Sequence, residues 1–152
     1  MPVTPLHITA SARINAEPDR IYDLIADYRN GHPRILPRQF VRLDVESGGK
    51  GAGTVILCEL KLLGRVNAFR AIVSEPRPGR VLVETSLERP SVVTTFTVAP
   101  VDGRRAADVT IASEFEIPGG VIGRIQRALT PRLLLPIYRE ELDKLAACAA
   151  AV

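Results

Sequence analysis

The stretch from Gly119 to Ala150 constrains this chain more than any other. It is about thirty residues of helical apolar spacing, long enough at roughly 1.5 Å per residue to cross a whole small domain. Ile122, Ile125, Leu129, Leu133 and Ile137 step by three or four. After a shift at Pro136, Tyr138, Leu142, Leu145 and Ala149 continue the stripe. A helix with one apolar face needs one apolar partner. Pro131 and Pro136 each remove an internal hydrogen bond, so the helix is expected to bend or break there.

The partner is legible in the preceding residues. His7 to Asn15 alternates, with Ile8, Ala10, Ala12 and Ile14 on one side, and reads as a strand with one wet face. Pro18 and Asp19 then start a helix whose stripe is Ile21, Leu24, Ile25 and Tyr28. Asn30-Gly31-His32-Pro33 breaks it, and Arg34 to Pro37 can make at most another turn or two, so two small helices separate the first strand from the second. From Gln39 six strand-length runs follow: 39–46, 54–62, 65–74, 81–88, 92–98 and 106–117. The glycine-rich link Ser47 to Gly53 precedes a strand and lacks a Lys-Ser or Lys-Thr pair. It reads as a hairpin loop and not a phosphate cradle.

Alternation assigns inward faces. They are Thr54, Ile56, Cys58, Leu60 and Leu62; Asn67, Phe69, Ala71 and Val73; Val81, Val83, Thr85 and Leu87; Thr94, Phe96 and Val98; and Val109, Ile111, Ser113, Phe115 and Ile117. Glu114 and Glu116 fall outside. Short connections force an antiparallel meander, and seven strands twist into a trough. The predicted class is α+β: a seven-stranded curved antiparallel sheet wrapped around the C-terminal helix, as one domain over residues 1–152. A bent helix over a curled sheet meshes incompletely and leaves a hollow.

Composition excludes several classes of function. The +3 net charge rests on twenty basic residues that are scattered, with Arg104-Arg105 the only adjacent pair, and aromatics are only 5%. Neither a basic run nor a stacking platform for nucleic acid is present. Cys58 and Cys148 lack a histidine cluster and read as buried small apolar groups, not as a zinc site or a disulfide. The start, Met1 to His7, lacks the regions of a signal peptide, and no apolar run is long enough to span a bilayer. A cytoplasmic protein without membrane insertion is expected.

Reactive constellations are sparse. His7 lies near the terminus. His32, a lone loop histidine, reads as a surface residue, with an acid or base at a pocket mouth as the competing reading. No Ser-His-Asp set and no metal-ligand spacing occurs. Inward hydroxyls and amides are few: Thr54, Asn67, Thr85, Thr94, Ser113 and Tyr138. Arg124 and Arg127 read as solvated, with an anionic head group as the alternative partner.

Order and motifs together resemble a known family. The stretches that carry the resemblance are Ile14-Asn15-Ala16-Glu17-Pro18-Asp19-Arg20-Ile21-Tyr22-Asp23-Leu24-Ile25, then Ile35-Leu36-Pro37, and Phe115-Glu116-Ile117-Pro118-Gly119-Gly120 running into Gly123-Arg124. Glu140-Glu141-Leu142-Asp143-Lys144-Leu145 closes the set. Over nearly its whole length the chain resembles the START-like (SRPBCC) superfamily of helix-grip proteins, in its polyketide cyclase/dehydrase and lipid transport branch. The resemblance implies an internal apolar cavity between sheet and long helix, entered near the small helices, and no metal or organic cofactor. It does not imply one activity. The candidate lining is Tyr28, Leu36, Cys58, Leu60, Phe69, Phe96, Ser113, Phe115, Ile125, Leu129, Leu133 and Ile137, and the catalytic candidates are His32, Ser113 and Tyr138. Three functions follow in order: a carrier or sensor of a small lipophilic molecule, a cyclase or dehydratase acting on an aromatic or poly-keto substrate, and an interaction module with a vestigial cavity. Monomer and homodimer both fit.

Overall fold

Where side chains alternate, seven strands form: β1 (Thr4–Ile14), β2 (Phe40–Ser47), β3 (Val55–Leu62), β4 (Arg65–Arg77), β5 (Val81–Ser86), β6 (Val92–Val101) and β7 (Ala106–Ile117). Where the apolar step is three or four, two helices form, α1 (Pro18–Ala26) and α2 (Gly120–Ala150). The structure is a computed structural model and describes residues 4–150. The readings attached to Met1–Val3, and the last two residues of the span 1–152, lie outside the described residues. Among those described, no helix is long and apolar enough to cross a membrane.

All seven strands join one antiparallel sheet in the order β1-β7-β6-β5-β4-β3-β2, the expected meander with the first strand added beside the last. β1 begins at Thr4, ahead of the expected His7, because β7 runs on to Ile117 and offers partners to Thr4, Pro5 and Leu6. Pro5 is tolerated there because β1 is an edge strand. β4 continues past Ser74 to Arg77, and a register shift against β5 absorbs Pro76.

One face assignment is reversed. On β5 the inward residues are Leu82, Glu84 and Ser86, not Val81, Val83 and Thr85. Residues directly opposite in register share a face. Leu82 pairs with Phe96 and Glu84 with Thr94 on one side, while Val73 pairs with Glu84 and Ala71 with Ser86 on the other. Phe96, Val73 and Ala71 are buried, so the two polar residues are carried inward with them. The chosen face of β4, Phe69, Ala71 and Val73, does point inward, with Asn67 exposed at its end.

Between β1 and β2 there is one α-helix and then a 3-10 turn, His32–Arg34. The turn is the Gly-His-Pro corner itself and not a second helix after it. Asp27 builds the corner. Its Oδ1 accepts the N–H groups of Arg29 and Asn30 at 3.1 and 3.0 Å, and its carbonyl accepts those of Gly31 and His32. Gly31 is required by close approach, since a Cβ there would lie 2.6 Å from the Leu24 carbonyl oxygen.

α2 is unbroken past Pro131 and Pro136 and packs chiefly on β1, β7 and α1. Its second half is buried through Leu134, Ile137, Tyr138, Glu141, Leu142, Leu145 and Ala149. Ile122, Ile125 and Leu129, expected on the same buried stripe, are exposed. The cover explains the difference. Arg20 of α1 donates to the Ala149 carbonyl and Lys144 to the Leu36 carbonyl, so α1 and the corner segment close over the second half. The first half has no such lid.

Candidate functional site

A cavity of about 410 Å³ lies between the concave face of the sheet and α2. Its walls are largely apolar: Leu36, Phe40, Cys58, Leu60, Leu62, Phe69, Phe96, Ile111, Phe115 and Leu134. Glu88, Arg89 and Pro90, from the β5–β6 connection, border it at the end where β7 passes into α2. At the other extreme, polar groups converge on His32: Glu84 from β5, Glu141 from α2 and Tyr28 from the corner.

His32 is fixed from three sides. Its Nδ1–H donates to the Ile25 carbonyl at 2.7 Å. Its ring stacks on Tyr28 with centroids 4.5 Å apart and meets Phe96 edge-on at 5.6 Å. A carbonyl only accepts, so Nδ1 carries the proton, and in the neutral ring Nε2 holds the lone pair. That nitrogen lies 3.7 Å from Glu141 Oε1 and 3.9 Å from Glu84 Oε2. Both separations exceed a hydrogen bond, so the three groups share a field without directly sharing a proton.

The two carboxyls differ in support. Glu84 Oε2 accepts the Tyr28 hydroxyl at 2.6 Å. Burial, and then the charge of Glu84, pushes the Tyr28 phenol well up, so it stays protonated as the donor. Glu141 is only 4% exposed and faces the cavity, with His32 Nε2 3.7 Å from its Oε1. Burial first and Glu84 second hold its carboxyl well above the usual range. The Cys58 thiol on the wall is likewise pushed up, by burial and then by Glu84 and Glu141, and stays a thiol.

A second polar element adjoins these groups. Thr94 Oγ1 and Ser113 Oγ are 2.7 Å apart, and Ser113 Oγ and the Tyr138 hydroxyl 2.5 Å. The chain crosses from β6 through β7 to α2 and ends on Tyr138, which faces the cavity. Burial raises the Tyr138 phenol to about 12, against the opposing pull of Ser113. Chemically, the closed end therefore offers a buried carboxyl biased toward its protonated form, the Nε2 of an imidazole held through Nδ1, a second carboxyl and a hydroxyl donor.

Of the residues expected on the wall, Leu36, Cys58, Leu60, Phe69, Phe96 and Phe115 line the cavity, as do the catalytic candidates His32 and Tyr138. Tyr28 and Ser113 act one step back, holding Glu84 and Tyr138. Ile125 and Leu129 face outward, Leu133 is half-buried off the wall, and Ile137 is core; Thr130, Leu134, Tyr138 and Glu141 are the α2 residues on the cavity. His32 is 3% exposed and is not the surface residue its loop position suggested. Glu84 and Glu141 were missed. A signal for the second existed: Leu134, Tyr138, Glu141 and Leu145 step by four, three and four, which puts a carboxyl inside the buried stripe. Among the described residues no group of side chains could hold a metal ion.

A sequence profile described as polyketide cyclase / dehydrase and lipid transport matches residues 5–150. No curated protein matches the chain. Among solved structures, the solution structure of KanY protein superposes with a TM-score of 0.82 at 29% identity, covering 98% of this chain and 99% of that one. The Zhui aromatase/cyclase from Streptomyces sp. R1128 gives 0.79 at 15% identity, with 96% and 94% covered. Norcoclaurine synthase from Thalictrum flavum, in complex with dopamine and hydroxybenzaldehyde, gives 0.72 at 15%, with 96% and 87% covered. The last two likenesses are of fold alone.

Proposed function

The chain belongs to the polyketide cyclase / dehydrase and lipid transport family, and from that premise we propose that it acts as one domain that takes a small, largely apolar carbonyl compound into its cavity and performs acid–base chemistry on it. The observation that carries this reading is the convergence on the cavity of two carboxyls and an imidazole, with Glu141 and Glu84 each within 4 Å of His32 Nε2. Simple retention of a guest needs only apolar walls and a hydroxyl. A proton donor and a lone pair within 4 Å of each other are what proton transfer needs.

The elementary step is enolisation. Glu141 gives its proton to the guest's carbonyl oxygen as His32 Nε2 takes one from the adjacent carbon, leaving a neutral enol, an imidazolium and a carboxylate. Glu84 lies 3.9 Å from that imidazolium and steadies it. Tyr138, backed by Ser113 and Thr94, supplies a further hydrogen bond that orients the oxygen. The same step underlies aldol-type ring closure and loss of water, and both are reactions of keto compounds. Phe69, Phe96 and Phe115 suit flat or cyclic guests.

A second reading, a carrier without chemistry, draws on the apolar walls alone. One experiment separates the two. Uptake of Nile red reports the cavity, and α-tetralone in deuterated buffer, followed by NMR, reports exchange at its α-carbon. The expected result is uptake by wild type, E141Q and H32Q alike, with exchange about 10²–10⁴-fold slower in both variants. Uptake with no exchange by wild type, or with equal exchange by E141Q, leaves the carrier; no uptake at all removes both readings.

A further inference from the structure

We propose that the end of the sheet from which α2 departs, where the exposed Glu88, Arg89 and Pro90 border the cavity, docks on an anionic lipid bilayer. The strands place its parts together. β7 ends at Ile117 opposite Thr4, and β6 begins at Val92 opposite Phe115. In an alternating meander the β3–β4 turn and the β5–β6 connection therefore lie at the same end of the sheet, from which α2 departs. Seven of the nine large apolar side chains left exposed are concentrated there. Leu63 and Leu87 come from the strand connections, Val66 from the outer face at the start of β4, and Val121, Ile122 and Ile125 from the first turns of α2, at 52–72% exposure, with Leu129 at 40%. Scattered exposed leucines need no explanation, whereas a cluster around one opening does.

The patch is held rigidly outward. At Gly123 a Cβ would sit 1.8 Å from the Pro118 carbonyl oxygen, so the first turn of α2 is pressed against the end of β7. Arg127 donates to the Thr4 carbonyl on the neighbouring edge strand. These contacts fix which side of the helix faces solvent, and that side carries Ile122, Ile125 and Leu129.

Charge selects the occupant. From Pro118 to Arg139 there is no acidic residue, while Arg124, Arg127, Arg132 and Arg139 interleave with the apolar positions. Neither Arg65 nor Arg124 has a carboxylate partner among the described residues. A second copy related by a two-fold axis would set the same face against itself, arginine against arginine, with no acid on that helix stretch to offset it. An anionic lipid surface complements both features: the apolar side chains enter the boundary between head groups and acyl chains, and the guanidiniums meet the head groups. The helix lies on the bilayer and does not cross it, and the cavity opens toward the apolar phase in which a lipophilic guest is concentrated.

The test is co-sedimentation of the full chain with vesicles of phosphatidylcholine alone and of phosphatidylcholine mixed with phosphatidylglycerol. It needs no guest, so it stands apart from the cavity chemistry. Wild type is expected to pellet with the mixed vesicles, weakly or not at all with the neutral ones, and less as salt is raised. Arg124→Ala should weaken binding about fivefold. The pair Ile122→Glu and Ile125→Glu, both at exposed positions and checked for fold by circular dichroism, should abolish it. Wild type remaining in the supernatant, or the double variant pelleting like wild type, overturns the proposal. Concentration-dependent dimerisation that the double variant dissolves would also overturn it, by giving the patch to a second copy.

Discussion

The two halves of α2 carry the same apolar rhythm and lead opposite lives. In the second half Leu134, Leu142 and Leu145 are buried against sheet, α1 and corner, while in the first half Ile122, Ile125 and Leu129 stand in solvent. Periodicity fixes that side chains share a face; it does not say whether anything lies across from that face. The partner is decided elsewhere, by where α1 and the segment at Leu36 fold back, and they reach only as far as Lys144 and the helix C-terminus. The sharpest way to break this comparison is to truncate one side chain in the packed half. Leu142 is 2% exposed, and Leu142→Ala should cost about 2–5 kcal/mol in urea unfolding, through lost transfer energy and the cavity left behind. A cost below that range would mean that the second half is less tightly packed than its burial indicates.

Glu141 interrupts the apolar character of that packed half, and its effect is next in size. Because burial raises its pKa, the folded chain keeps this proton where the unfolded chain has released it. The stability it contributes is complete below the ordinary carboxylate range and is lost as pH rises toward the raised folded value. Glu141→Gln cannot ionise and lacks that slope. The stability curves of wild type and variant should converge at acid pH and separate as pH rises above the ordinary carboxylate range, with the variant the more stable near neutrality. Urea titrations across pH measure this directly. A variant less stable than wild type near neutrality would show that His32 fully compensates the carboxylate.

The contrast also explains what was legible. Element order, the strand meander and most cavity walls follow from alternation and turn chemistry, because Val109, Ile111 and Phe115 could face nowhere else once Asp108, Thr110 and Glu114 were given to water. β5 resisted because both of its faces carry apolar residues, and the polar look of Glu84 and Ser86 argued for solvent. Only pairing with Phe96 and Val73 settles that parity, and pairing is a long-range fact. The closed end of the cavity was illegible for the same reason. His32, Glu84 and Glu141 are far apart in the chain, and each looks ordinary until the corner, the sheet and the helix bring both carboxyls within 4 Å of the imidazole. Tyr28 showed its apolar spacing but not its task, which is to hold Glu84.

The smallest effect tests the comparison from the other side. Ile125 matches Leu142 in size and lies on the same helix, yet at 57% exposure it gives up little contact on truncation. Ile125→Ala should change unfolding stability by no more than about 0.5 kcal/mol, even with the slightly better helix propensity of alanine included. The measurement is the same urea titration used for Leu142→Ala, run in dilute buffer without lipid. A loss of more than 1 kcal/mol would require something packed across Ile125 in solution. Since the fold leaves that face bare, the cover would have to be a second chain, and the loss would then shrink on dilution, as expected when part of the stability depends on association. An effect near zero at every concentration means that the apolar face on the first half of α2 does nothing for the folded monomer, and the reason for its isoleucines must lie outside it.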